Sequence, residues 1–138
     1  LRYLTVDDLL ELHIEALKSH GGRDGMLQSG LNHLEYVIDS QYPIFGQDQY
    51  PGMFLKAANI FFLINKDHAF IDGNKRTALL AIMVMLAKNG YEFVADIDSA
   101  ENFTKEVASI DTHSEDFNKD TFISYIADWL RKNTRKIR

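Results

Sequence analysis

The stretch Thr77–Lys88 is apolar nearly all round, and this one segment most constrains how the chain can fold. A helix without a polar face has to be covered on every side, so the rest of the chain must wrap it. Asn89-Gly90 ends it with residues that tolerate left-handed backbone. Its longest apolar run, Ala78–Ala87, falls well short of the ~20 residues a membrane span needs. The expected covering is therefore a protein core, with this helix at its centre.

The wrapping reads as further helices. Thr5 with Asp8 three residues on has the form of a capping box, and Leu9, Leu12, His13, Ala16 and Leu17 recur behind it at helical spacing. Gly21-Gly22 stops that helix. His13 falls on or near the apolar stripe, where a lone histidine reads as a core or boundary residue rather than a ligand. A second short helix is expected from Met26 to Asp39. Pro43, Gly46, Pro51 and Gly52 then frame a segment that cannot be continuous helix, and its Tyr42, Ile44, Phe45 and Tyr50 suit a strand or a short hairpin. A third helix begins near Pro51 and carries Phe54, Ala57, Ala58, Phe61 and Ile64 on one face. Asp98 is placed to cap a fifth helix, with Glu101 three positions on, and a sixth turns Phe122, Ile126, Trp129 and Leu130 inward. Alternating strand patterns are nearly missing. The expectation is an all-α bundle of about six helices with a small β-hairpin near residues 41–50. With no repeat, low-complexity stretch or Pro/Gly-rich linker, residues 1–138 read as one domain.

Composition narrows the function. Cysteine is absent, which removes disulfides, thiol nucleophiles and cysteine-based zinc sites, and fits a reducing compartment. With 46% hydrophobic residues and nine Phe, the core needs neither metal nor disulfide to hold it. The formal net charge of −5 argues against a protein that coats nucleic acid. The basic tail Arg131–Arg138 reads as a solvated complement to the end of the preceding helix. No signal segment opens the sequence, so a cytoplasmic protein with no membrane partner and no direct nucleic-acid partner is expected.

The chemistry concentrates in Asn65-Lys-Asp-His-Ala-Phe-Ile-Asp-Gly-Asn-Lys-Arg76, a polar loop between the two most apolar helices. Gly73, Asn74, Lys75 and Arg76 place unpaired backbone N–H groups and two cations at a helix N-terminus. The helix dipole prefers acids there, so the two cations are locally unfavourable unless an anion sits among them. N–H groups and a forked guanidinium together suit phosphate. His68 is suited to act as a general base on a hydroxyl, and Asp72 to hold Mg²⁺, which binds through few carboxylates plus substrate phosphates. Phe70 is expected to anchor the loop in the core. A plain solvated loop, with Asp72 as a cap and Lys75 and Arg76 facing water, is the competing reading of the same residues.

His68-Ala-Phe70-Ile-Asp72-Gly73-Asn74-Lys75-Arg76 resembles the signature of the Fic/Doc family, and its lysine resembles the Doc, or death-on-curing, branch. Arg2-Tyr-Leu-Thr5, Gly21-Gly22, Gly25-Met-Leu-Gln-Ser29 and Tyr50-Pro51 extend the likeness over roughly residues 2–91. The resemblance implies a toxin of a toxin–antitoxin pair that transfers phosphate from ATP, with Mg²⁺, to a threonine of translation elongation factor Tu. It implies that His68 deprotonates the target hydroxyl, Phe70 anchors, Asp72 meets Mg²⁺, and Gly73, Asn74, Lys75 and Arg76 hold phosphate. The segment Gln41–Tyr50 would be the flap that docks the target backbone, and a Phd-type antitoxin would be the inhibiting partner.

Two departures from the adenylylating branch bear on the reaction. That branch has glycine where Lys75 stands, and a second arginine where Leu79 stands. Losing a bidentate phosphate clamp is not a small adjustment, and both changes favour presenting the γ-phosphate of ATP. Ala69, where many relatives have proline, loosens the loop slightly. The self-inhibitory Ser/Thr-x-x-x-Glu-Gly/Asn pattern is missing, because Ile97 stands four residues before Glu101-Asn102. The alternatives are an adenylyltransferase, a non-catalytic helical binding module, and a metal hydrolase with His68 and Asp72 as ligands but no third ligand nearby.

Overall fold

Thr5 opens the first helix as its spacing predicts. Its hydroxyl accepts the N–H of Asp8 at 3.1 Å, and the Asp8 carboxylate accepts the N–H of Thr5 at 2.9 Å. From there the computed structural model, which describes residues 1–137, runs through α1 (Val6–His20), α2 (Gly30–Asp39), α3 (Met53–Lys66), α4 (Asn74–Lys88), β1 (Tyr91–Phe93), α5 (Ile97–Ser109), α6 (Lys119–Lys132) and β2 (Thr134–Lys136). The fold is an all-α bundle of six helices with a small antiparallel sheet. Arg138, the last residue of the basic tail, lies outside the described residues. Among those residues no helix is long and apolar enough to cross a membrane.

The centre is α3, not α4. Every residue from Lys56 to Asn65 is buried, because α4, α6, α5 and α2 all pack on this one helix. The helix conceals its polar side chains with partners: Lys56 donates to Asp48, Asn59 to Ser40 Oγ at 3.1 Å, and Asn65 to the Phe61 carbonyl at 2.9 Å. Those residues make its sequence look more one-sided than its burial. By contrast α4, expected to be covered on all sides, leaves Met83 39% exposed and Ala87 at the surface.

Three boundaries differ from the sequence reading. The second helix starts at Gly30 rather than Met26, since residues 25–27 pair with the loop before α4. The cap of α5 is Asp96, whose carboxylate accepts the Ser99 N–H at 2.8 Å, while Asp98 lies in the first turn. Between residues 41 and 50 the expected hairpin shrinks to a tight turn. Ile44 and Gln47 exchange both backbone hydrogen bonds at 2.9 Å around Phe45 and Gly46. The two-stranded sheet instead joins Tyr91, Glu92 and Phe93 to Lys136, Arg135 and Thr134, returning the end of the chain to the exit of α4. In α6 the fully buried face is Ile123, Ile126, Ala127 and Leu130. Trp129 is half-buried and stacks flat on Phe103 of α5, with ring centroids 4.0 Å apart.

Candidate functional site

The loop between α3 and α4 is pinned by its own side chains and by three distant segments. Phe70 is 1% exposed, and its ring lies parallel to that of His13 with centroids 3.7 Å apart. The side-chain amide of Asn74 donates to the Phe70 carbonyl at 2.9 Å and accepts the Phe70 N–H at 3.1 Å. Residues 25–27 form a short antiparallel pairing with the loop. The Leu27 N–H donates to the Ala69 carbonyl at 2.9 Å, and the Ile71 N–H to the Gly25 carbonyl at 3.0 Å. Gly30 is what lets α2 come this close, since a Cβ there would lie 2.3 Å from the Ala69 carbonyl oxygen.

Asp72 is gripped at both ends. Its Oδ2 accepts the Arg23 N–H at 2.8 Å, and its carbonyl oxygen accepts from His13 Nε2 at 2.8 Å. Gly73 then takes a left-handed conformation, φ 85°, as the residue before the first turn of α4. Any L side chain is strained there, and a Cβ would also stand 3.3 Å from the His13 ring.

Above this floor lies a cavity of about 360 Å³, within the range of small-molecule pockets. His68, Asp72, Gly73, Asn74, Lys75 and Arg76 all line it. His68 and Lys75 are exposed, and Asp72 and Arg76 are partly buried. The motif therefore brings one imidazole, one carboxylate and two cations to a helix N-terminus, where the first-turn N–H groups have no helical acceptors, and His20 at the end of α1 adds a second imidazole to the lining. Asn74 contributes differently from its neighbours. Its side chain, 6% exposed, serves Phe70, which leaves only its backbone to face an anion.

The far wall belongs to α5 and was not legible as part of the site. Arg76 donates to Glu101 Oε1 at 2.7 Å, and Lys105, one turn beyond Glu101, also lines the cavity. Neither Lys75 nor Lys105 has a carboxylate partner among the described residues. Lys66, at the end of α3, fixes this wall by donating to the carbonyls of Ala108 at 2.9 Å and Ile110 at 2.6 Å, where a cation complements the helix C-terminus. His13 and the Arg23 backbone were also missed, because nothing local to α1 or its stop reports a partner 59 or 49 residues away.

Among the described residues no three His, Asp or Glu side chains converge, so the ligand set of a metal hydrolase is not assembled. A Mg²⁺ ion held mostly by phosphates asks for less. One Asp72 oxygen is engaged by Arg23, and no protein donor among the described residues reaches the other.

The Fic/DOC family model matches residues 3–86, well over half of the sequence. The chain belongs to the Fic/DOC family. It is similar to the protein named Toxin Doc of Mycolicibacterium smegmatis, 41% identical over 77 residues, a match that spans 54% of this chain and 59% of that protein. It is also similar to the protein named Protein kinase doc of Escherichia phage P1, 26% identical over 132 residues, or 96% of this chain and 95% of that one.

Proposed function

We propose that the chain is the cytoplasmic toxin of a toxin–antitoxin pair and that it transfers phosphate from ATP to a hydroxyl of a target protein. The observation that supports this most is the single cavity lined by His68, Asp72, Lys75 and Arg76 at the N-terminus of α4. In the reaction, His68 accepts the proton of the target hydroxyl as its oxygen bonds to the γ-phosphorus. The bond from that phosphorus to the β,γ-bridging oxygen breaks, and ADP leaves with the electron pair. Lys75, Arg76 and the first-turn N–H groups stabilise the charge on the phosphate oxygens, which is most of what phosphoryl transfer requires. Mg²⁺, when bound, would offset phosphate charge, and Asp72 would hold it.

Leu79 favours phosphate over AMP as the transferred group. It lines the cavity one turn after Arg76 and is 7% exposed, so an apolar wall stands where the adenylylating branch has its second arginine. The names of the two relatives, a toxin and a protein kinase, support the same reading. By family resemblance the target is a threonine of elongation factor Tu, and the inhibiting partner a Phd-type antitoxin.

The test incubates purified protein and its His68→Ala variant with a bacterial lysate, Mg²⁺, and ATP labelled at the γ- or the α-phosphate. Removal of the base should slow labelling by about 10²–10⁴-fold. Label from γ-ATP alone, lost in the variant, is the expected result. Label from α-ATP would make the protein an adenylyltransferase and overturn the argument from Lys75 and Leu79.

A further inference from the structure

We infer that His13 is a positioning residue, which sets the peptide plane between Asp72 and Gly73 so that the loop offers a backbone N–H to phosphate. The inference rests on the reading of the cavity as a phosphate site. His13 is 3% exposed on the inner face of α1, and it meets three features of the loop at once. Its ring lies flat on Phe70, with an angle of 4° between the planes. Its Nε2 is 2.8 Å from the Asp72 carbonyl oxygen, and its Cδ2 lies 3.3 Å from where a Cβ on Gly73 would be.

A carbonyl oxygen only accepts hydrogen bonds, so Nε2 carries the proton and donates. The Asp72 carbonyl is thereby drawn toward α1. In a trans peptide the C=O and the following N–H point in opposite directions. The N–H of Gly73 is consequently directed away from His13, and Gly73 lines the cavity. Stacking on Phe70 keeps the ring from rotating, and Gly73 leaves room for its edge. A side chain that filled the same space without a donor would leave this peptide free to turn over.

The experiment uses the full chain with His13→Phe, which keeps a flat ring on Phe70 but has no donor, and His13→Gln, which keeps an N–H donor. Two quantities are read: the Gly73 amide signal and its hydrogen exchange by NMR, and the affinity for ATP with Mg²⁺ by calorimetry. The expected result is a displaced Gly73 amide with faster exchange in His13→Phe and about tenfold weaker nucleotide binding, the loss of one hydrogen bond. His13→Gln should recover most of both. A Gly73 amide unchanged in a folded His13→Phe protein overturns the inference, as does a His13→Gln protein no better than His13→Phe. Should His13→Phe not fold, the comparison of His13→Gln with the unaltered protein decides: a Gly73 amide in its original place supports the role, and a displaced one overturns it. Failure of the unaltered protein to bind ATP would sink the phosphate-site reading, while the amide readout still decides the part played by His13.

Discussion

Arg76 and Glu101 are joined at 2.7 Å across the cavity, which ties the first turn of α4 to the first turns of α5. The cation best shaped to grip phosphate already has an anionic partner. On the proposed function, an incoming phosphate would compete with Glu101 for it.

Glu101→Gln should therefore tighten nucleotide binding several-fold, because Arg76 no longer leaves a full charge behind. The pair is partly exposed, so its removal should alter stability by no more than about 1 kcal/mol. Calorimetric titration with ATP and Mg²⁺ checks the first figure, and chemical unfolding the second. Unchanged or weaker binding would show that Glu101 does not compete.

Asn74→Ala and His68→Ala should separate folding from chemistry. Losing the Asn74 amide leaves the buried N–H and C=O of Phe70 unpaired, at a cost of about 2–4 kcal/mol in urea unfolding. His68 is exposed, so His68→Ala should stay within about 0.5 kcal/mol of the original stability while transfer fails. Equal stability losses in both variants would contradict this division.

Gly30→Ala should weaken the packing of α2 on the loop. The added methyl would overlap the Ala69 carbonyl oxygen, and relieving the overlap should cost about 1–3 kcal/mol. Thermal unfolding gives the cost, and exchange of the Leu27 amide, bonded to that same carbonyl, should speed up.

The capping box gives a pH signature. Partial burial pulls the Asp8 carboxyl upward, but hydrogen bonds from Thr5 and Lys88, with the Lys88 charge, hold it below the usual carboxylate range. A carboxyl depressed in the folded state adds stability above its unfolded value, and that contribution is lost as pH falls through the folded one. Asp8→Asn should thus be less stable than the original at neutral pH, with the gap closing below about pH 4. Thr5→Ala should lose about 1 kcal/mol at neutral pH. Unfolding curves across the acid range test both, and a gap that widens on acidification would reverse the assignment.

Local chemistry was readable in the sequence where one unambiguous pair or stop lies within a turn. Thr5 with Asp8 is one such case, and the Gly21-Gly22 stop after α1 is another. What the sequence concealed were pairings at a distance. Met26 looks like the start of a helix, yet residues 25–27 take the backbone partners offered by Ala69 and Ile71 instead. His13 read as a core residue and is buried as expected, but its partner stands 59 positions away. Two neighbouring acids compete for the α5 cap, and only geometry selects Asp96 over Asp98. Lys56, Asn59 and Asn65 disguise the centrality of α3, because composition counts a polar residue as exposed whether or not a partner waits for it inside.

The small sheet fixes one wall of the cavity from outside the motif. The family match ends at residue 86, and β1 begins at Tyr91, so the α5 wall with Glu101 and Lys105 stands beyond the matched part. Pairing of β1 with β2 closes residues 91–136 into a clip whose two ends meet beside α4. That clip carries Phe103, Val107, Ile123, Ile126 and Leu130 into the same core as α3, and Glu101 to Arg76, so a single closure at the end of the chain secures both the core and one side of the cavity.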